Sequence, residues 1–213
     1  NDPYLIATAE QLAKLVNDTD TSGKYYKLTQ NIVLNKATNS TAISWYAVTG
    51  NDSTDIQFYG TLDGDGHTVS GLYFSAVGNN AFYGSGLIPR ADRATVKNIG
   101  LVNSYMEITG TGTNCFVASI IGRGNIVTVS GCFADETVTL NGNKGKAGGI
   151  VGVMEGASKI LNCYFKGNLS ATTKDPFYAT GWTDYKNVKY SYTTSAVNKK
   201  RDTYYEFVYT TAE

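Results

Sequence analysis

The sequence predicts an all-β fold, a right-handed parallel β-helix (a solenoid) with an N-terminal capping helix. One short apolar pattern recurs downstream of residue 68 at intervals of roughly 27 to 33 residues. A second apolar motif alternates with it. Each unit of about 30 residues is too short to bury its own apolar face, so neighbouring units must stack to form a core.

The four copies of the first pattern carry aliphatic, thiol or aromatic residues at the first, fourth and sixth positions, and Gly or Asn at the third. Gly and Asn tolerate a left-handed backbone, which predicts a bend between two strands. The copies begin at Val69, Val96, Val129 and Ile160. This alignment predicts that one position forms a single column through the stack, made of Leu72, Ile99, Cys132 and Cys163.

The second motif predicts another ladder of strands through the stack. Its copies are Gly86-Leu87-Ile88, Ser119-Ile120-Ile121-Gly122 and Gly149-Ile150-Val151-Gly152. A leucine-rich repeat is excluded because the Leu-x-x-Leu-x-Leu spacing is missing. A propeller is excluded because the units are too short for four strands.

Residues 4 to 17 predict a helix, with Thr8 as N-cap, Gln11 three residues later and an apolar stripe after it. We expect this helix to cover the open end of the β-helix, where strand edges would otherwise be exposed. The prediction is one domain over residues 1–213, with a cap at 4–24, coils at 25–170 and an irregular C-terminal coil or cap at 171–213. Segments 104–113 and 137–146 are predicted as polar turns between coils.

Three cysteines cannot form a complete disulfide framework. Cys132 and Cys163 occupy the same position in successive units, so we expect them to stack in the core as small apolar residues. The single histidine, His67, is distant from them in sequence, and no metal site is predicted.

The charge balance favours neither nucleic acid nor an anionic membrane as partner, because 18 basic residues face 18 acidic ones. No apolar run approaches the roughly 18 residues that a membrane-spanning helix needs. We therefore expect neither a nucleic acid partner nor a membrane span.

The segment Asp63-Gly64-Asp65-Gly66 offers two carboxylates close together, with His67 adjacent. A glycosidase needs two carboxylates facing one cleft, and a lyase needs a base with calcium or Arg. The ordinary role of Asp between glycines is to bond its own backbone in a turn, and we favour it over catalysis or calcium binding. No catalytic residue, metal or cofactor is therefore predicted.

Aromatic residues outside the regular coils are the candidate ligand-binding residues, because exposed rings offer flat apolar faces beside polar groups. Their alternative role is to cover strand edges, and the aromatic pattern alone favours cover over a ligand platform. The candidates are Trp45, Tyr46, Tyr178, Trp182 and Tyr185.

The pattern resembles bacterial surface proteins that carry the GLUG motif, within the pectate-lyase-like and filamentous-haemagglutinin-like β-helix group. The resemblance covers about residues 4 to 165 and has Asn31 where that family usually has Asp. The matching segments are Tyr26-Lys27-Leu28-Thr29-Gln30-Asn31-Ile32-Val33-Leu34, residues 58–72, Val96-Lys97-Asn98-Ile99-Gly100-Leu101, Gly148-Gly149-Ile150-Val151-Gly152 and Ile160-Leu161-Asn162-Cys163-Tyr164.

The resemblance implies a secreted or cell-surface bacterial protein without shared catalytic residues. It leads us to expect a monomeric, non-catalytic adhesion or attachment module whose partner is a host or bacterial glycan or a surface protein. Two alternatives remain, a carbohydrate-active enzyme (polysaccharide lyase or glycoside hydrolase) and a structural spacer.

Overall fold

The structure, a computed structural model, describes residues 2–36, 42–45, 56–78, 84–110, 115–141 and 145–171, and beyond them four short strands. Helix α1 is Ala9–Val16. The strands in chain order are β1 Tyr4–Ile6, β2 Tyr25–Leu28, β3 Ile32–Val33, β4 Thr61–Asp63, β5 Thr68–Ser70, β6 Tyr73–Gly78, β7 Ile88–Asp92, β8 Thr95–Lys97, β9 Gly100–Gly110, β10 Cys115–Ala118, β11 Ile121–Asn125, β12 Thr128–Ser130, β13 Phe133–Asn141, β14 Gly145–Gly148, β15 Val151–Glu155, β16 Ser158–Leu161, β17 Tyr164–Ala171, β18 Tyr178–Thr180, β19 Thr183–Lys186, β20 Lys189–Tyr192 and β21 Val208–Tyr209.

All of these strands pair in parallel with the equivalent strand of the next coil, a coil being one circuit of the chain around the stack. The sheets have the orders β1-β2-β4-β8-β12-β16-β19, β21-β20-β17-β13-β9-β5-β3 with β6 beside β9, β18-β15-β11-β7, and β10-β14. The predicted fold class, an all-β parallel β-helix, is confirmed.

Equivalent apolar side chains form columns that run through the core. Strand pairing aligns Leu62, Val96, Val129 and Ile160 in one column, all buried. The predicted bend follows two residues later, where Asn98, Gly131 and Asn162 have φ of 52°, 61° and 52°. Asn and Gly at this position thus supply the left-handed backbone that turns the chain into the next sheet.

The predicted column of Leu72, Ile99, Cys132 and Cys163 is wrong in one member, Leu72. Ile99, Cys132 and Cys163 lie in register, but Leu72 lies beside Ser104, whose Oγ accepts its N–H at 3.0 Å. The first corner is longer than the later ones, with Asp65 and Gly66 both at positive φ. The sequence alignment therefore matched Val69 with Val96, whereas the structure matches Leu62 with Val96.

Both of these aligned cysteines are free and buried, as predicted, and so is Cys115. The Sγ atom of Cys132 lies 3.4 Å from the carbonyl oxygen of Ser130, and that of Cys163 lies 3.3 Å from the carbonyl oxygen of Leu161. The hydrogen bond with Cys163, together with burial, raises the pKa of the Cys132 thiol. The two side chains thus act as apolar core residues.

The N-terminal helix is shorter than predicted. It begins after Thr8, whose side chain accepts the N–H of Gln11 in the predicted capping box, and it buries Leu12, Leu15 and Val16 in the core. Residues 4–6 instead form β1, in parallel register with Tyr26 and its neighbours. Pairing with the free edge of β2 gives these residues main-chain hydrogen bonds that override the helical pattern.

The two segments predicted as polar turns belong largely to long strands. β9 continues to Gly110 and β13 to Asn141. The alternation of buried and outward residues, such as Met106 and Ile108 on either side of Glu107, marks a strand with one solvated face. The predicted turns are therefore corrected to a sheet whose outer face carries polar side chains.

Two glycines at the start of the third copy of the second motif occupy positions that leave no room for a side chain. A Cβ on Gly148 would collide with the carbonyl oxygen of Val151, and a Cβ on Gly149 with the ring of Phe165. The chain bends here, between β14 and β15, which belong to different sheets. The glycines thus permit a tight bend whose apolar residue, Ile150, is fully buried.

A second column of left-handed residues consists of Arg93, Ile126 and Gly156, each one position after aligned residues of β7, β11 and β15. Ile126 has a φ of 53° and is 43% exposed. A β-branched residue is strained in this conformation, and exposure limits what its side chain gains from packing.

We expect Ile126→Asn to raise stability by about 1 kcal/mol, because Asn adopts the left-handed conformation at lower cost. Urea unfolding measures the change. The control is Ile126→Val, which retains β-branching and should give no gain. Equal stability of the two variants would show that backbone strain is not the cause.

Candidate functional site

The Asp63 carboxylate lies at the end of β4, between lysines of the two neighbouring strands. Its Oδ1 accepts the N–H of Asp65 at 2.9 Å and the amide of Asn98 at 3.1 Å. Its Oδ2 accepts the Tyr25 hydroxyl at 2.6 Å and lies 3.1 Å from Lys97 Nζ. The side chain is buried, and all four acceptor positions of a carboxylate are engaged.

These contacts determine the charge of Asp63. Burial opposes its ionisation, but the hydrogen bonds from Tyr25, the Asp65 backbone, Lys97 and Asn98 outweigh burial and hold the pKa of Asp63 well below its usual range. The carboxylate therefore has no proton to donate at neutral pH and no vacant acceptor position for calcium. The predicted turn role is confirmed, since Asp63 accepts the N–H two residues later.

The Asp65 carboxylate binds a different partner from that of Asp63. Its Oδ2 forms an ion pair with Lys27 Nζ at 2.9 Å, across the sheet from the Lys97 pair. Within the described ranges, no three His, Cys, Asp or Glu side chains gather as metal ligands. In the same part of the chain, no helix has the length and hydropathy of a membrane span.

Of the five aromatic candidates, Trp45 is the one whose side chain the structure describes. Trp45 is buried, 4% exposed, and its Nε1 donates to the carbonyl oxygen of Leu87 at 3.2 Å. Trp45 therefore packs as part of the core, which is the structural alternative to ligand binding. Tyr178 and Tyr185 lie on β18 and β19, whose side chains lie outside the described part, as do Tyr46 and Trp182 altogether.

A different aromatic pair lies on the outer face of the long strands. Tyr73 of β6 and Tyr105 of β9 are paired in register, and their rings stack with centroids 5.9 Å apart and planes 18° apart. The next positions of this column are Thr137 and Asn168. Both tyrosines are partly exposed.

A cleft of about 350 Å³ adjoins this pair, and we call the pair and the cleft together the tyrosine cleft. It forms where β9 carries one extra residue, Asn103, opposite the step from Asp135 to Glu136. Such a bulge bends the strand and opens the surface. The residues lining the cleft are Lys36, Asn103, Ser104, Asp135, Glu136, Thr137, Gly167 and Asn168.

Glu136 is the buried acid beside this cleft. It is 5% exposed, and neither carboxyl oxygen has a hydrogen-bond partner among the described residues. Burial raises the pKa of Glu136 to about 8, although the nearby Ser119 hydroxyl acts in the opposite direction. The carboxyl group is therefore predominantly neutral at pH 7.

Part of this chain is similar in sequence to a small part of a much longer protein. The chain is similar to part of halomucin. The similarity to halomucin of Haloquadratum walsbyi is 32% identity over 156 residues, which covers 70% of this chain and 2% of halomucin. The chain thus spans only a small part of that relative. No family model matches the sequence, so membership of the GLUG family stays a prediction.

Among solved structures, the chain is similar to a Bacteroides ovatus protein described as a "putative immunoglobulin A1 protease". The TM-score is 0.50 with 16% identity, over 98% of this chain and 82% of that chain. At this identity the likeness concerns the fold alone. It agrees with the β-helix fold that the repeats predict.

Sequence reasoning missed the tyrosine pair because residues 104–113 had been assigned to a turn. A signal was present in the alternation of Tyr105, Glu107 and Thr109 with apolar residues. The pairing with Tyr73 depends on the register of β6 against β9, which the long first corner conceals.

We expect Asp63→Asn to lower the free energy of unfolding at pH 7 by roughly 2–4 kcal/mol, because it removes a hydrogen-bonded buried charge. The folded-state pKa is depressed, so this contribution is present above the unfolded pKa of about 3.9 and is lost as pH falls below it. Urea unfolding from pH 7 to pH 2 should show the two proteins converging. Asp135→Asn, at an exposed carboxylate, is the control, and a pH-independent gap would contradict the assignment.

Glu136→Gln should change stability in the opposite pH range. The folded pKa is raised, so the native state favours the proton, and wild-type stability falls as pH rises from about 4 to 8, by roughly 3–5 kcal/mol in total. The Gln variant should lack this loss and exceed wild type at pH 9. Parallel pH profiles of the two proteins would contradict a buried neutral Glu136.

Proposed function

We propose that the chain is a non-catalytic extracellular β-helix module that serves attachment to glycans as part of a larger surface protein. The observation that carries this proposal is the state of Asp63. The carboxylate pair considered above for acid–base chemistry, Asp63 and Asp65, is engaged in structural contacts, with Asp63 bound by Tyr25, Lys97, Asn98 and the Asp65 backbone.

Two further observations support the attachment role. The outer face of the long strands presents partly exposed tyrosines beside a polar cleft, and a sugar ring can stack on such rings while its hydroxyl groups bond to polar side chains. The similarity to 2% of halomucin supports a module within a long chain. The proposal includes a secreted or cell-surface location and a monomer, with residues 1–213 forming one domain.

The catalytic part of the proposal is tested with purified protein and a panel of neutral and acidic polysaccharides. We expect no new reducing ends and no unsaturated products, because Asp63 and Asp65 are engaged in hydrogen bonds and ion pairs that hold the corner. A boiled sample gives the background. Turnover that disappears in both Asp63→Asn and Asp65→Asn would overturn the proposal in favour of a carbohydrate-active enzyme.

Attachment is tested separately, by retention of the labelled domain on the same polysaccharides immobilised on beads. Saturable retention that soluble glycan displaces is the expected outcome. If no polysaccharide and no cell surface retains the domain, the module is a structural spacer and the attachment role is wrong.

A further inference from the structure

The column of outward side chains that contains the tyrosine pair changes from large to small residues. Two stacked aromatic residues, Tyr73 and Tyr105, are followed in register by Thr137. Successive strands lie about 4.8 Å apart, so side chains at equivalent positions of neighbouring strands lie against one another. Because Thr137 is too small to cover an aromatic ring, the face of Tyr105 directed towards Thr137 is left without a stacked neighbour from this column.

The Tyr105 ring is held in a fixed orientation. Its hydroxyl donates to Glu107 Oε2 at 2.8 Å, and Glu107 Oε1 accepts the amide of Asn141 at 2.9 Å. Burial and the bond to Glu107 raise the pKa of Tyr105 to about 12, so the phenol remains protonated. A preorganised ring loses little conformational freedom when a ligand stacks on it.

The cleft begins at the next position of the column, because Thr137, which pairs with Tyr105, is one of its lining residues. The cleft presents hydrogen-bond donors and acceptors. The exposed side chains at its surface are Lys36, Asn103, Asp135 and Asn168. The two charged members have opposite signs, and Glu136 is buried. The cleft therefore carries no excess charge that would select an anion or a cation.

We propose that the tyrosine cleft binds a neutral oligosaccharide, with one sugar ring stacked on Tyr105 above Thr137 and its hydroxyl groups bonded to the amide, hydroxyl and charged side chains of the cleft. This inference rests on the proposed function and specifies the class of glycan and the site where it binds. A sugar fits because its ring offers an apolar C–H face to the phenol and hydroxyl groups at its rim.

Other ligand classes match this surface less well. A nucleic acid would need several cations along the groove, whereas Lys36 is accompanied by Asp135. An added peptide strand would need an open sheet edge, whereas β9 is paired on both sides, by β6 and β13. Uronate-rich glycans would be disfavoured by Asp135.

The test uses the whole chain with cellotetraose, maltotetraose and mannotetraose as probes. Saturation-transfer NMR detects sugar protons near the protein, and calorimetry gives the dissociation constant. We expect at least one probe to bind with millimolar affinity or better. Tyr105→Ala should weaken that binding at least tenfold.

Thr137→Tyr supplies a variant that removes no core or network contact. The added ring would continue the aromatic column and fill the space above Tyr105, so binding should be lost while the thermal unfolding midpoint is retained. Thr139→Tyr is the matched control, because Thr139 lies two residues along the same strand, opposite Glu107 and outside the cleft lining. It should bind as wild type.

The outcomes separate this inference from the proposed function. Binding that survives Thr137→Tyr and Tyr105→Ala but is lost in Phe133→Ala, at an exposed ring elsewhere on β13, overturns the tyrosine cleft and leaves glycan attachment standing. Binding of charged polysaccharides alone overturns the neutral ligand class. Absence of binding to every glycan overturns both proposals.

Discussion

Parallel main-chain pairing between successive coils is the constraint on which the rest of this structure depends. Each strand takes its register from the strand below, so a residue's position in one coil fixes which side chains lie above and below it. The columns Leu62-Val96-Val129-Ile160 and Ile99-Cys132-Cys163 follow directly. A solenoid of this kind gains its core from neighbours, since no coil buries its own apolar face.

The same constraint organises the polar residues. In-register strands place Lys27, Asp63 and Lys97 side by side on one outer face, where like charges would repel if the acid were missing. The charges along this ladder alternate in sign. Asp63 pairs with Lys97, and Asp65, the second acid of the corner, pairs with Lys27. Asp63 and Asp65, which resemble a catalytic pair in the sequence, thus balance the charges of the lysines on neighbouring strands.

Irregularities in the stack coincide with its most distinctive surface. The extra residue Asn103 opens a cleft between coils, and beside it the aromatic column stops after Tyr105. A perfectly regular coil would offer a flat outer face, with each side chain covered by its equivalent. A bulge next to a truncated column instead creates a concavity beside a partly exposed aromatic ring, the two features that ligand sites on rigid scaffolds combine.

The sequence by itself determined the solenoid, the apolar columns, the Asn and Gly bends, the burial of the cysteines and the capping box at Thr8, because each of these depends on local periodicity and backbone conformation. Only the tertiary structure decided the register of the first corner, since two additional residues there displace the first copy of the pattern relative to the later copies, and a one-sequence alignment cannot detect the shift. It also decided that Tyr4–Ile6 is a strand, because its hydrogen-bond partners come from β2. The tyrosine cleft arises in the same way: Tyr73, Tyr105 and Thr137 are separated by about 30 residues each, and strand pairing brings them together.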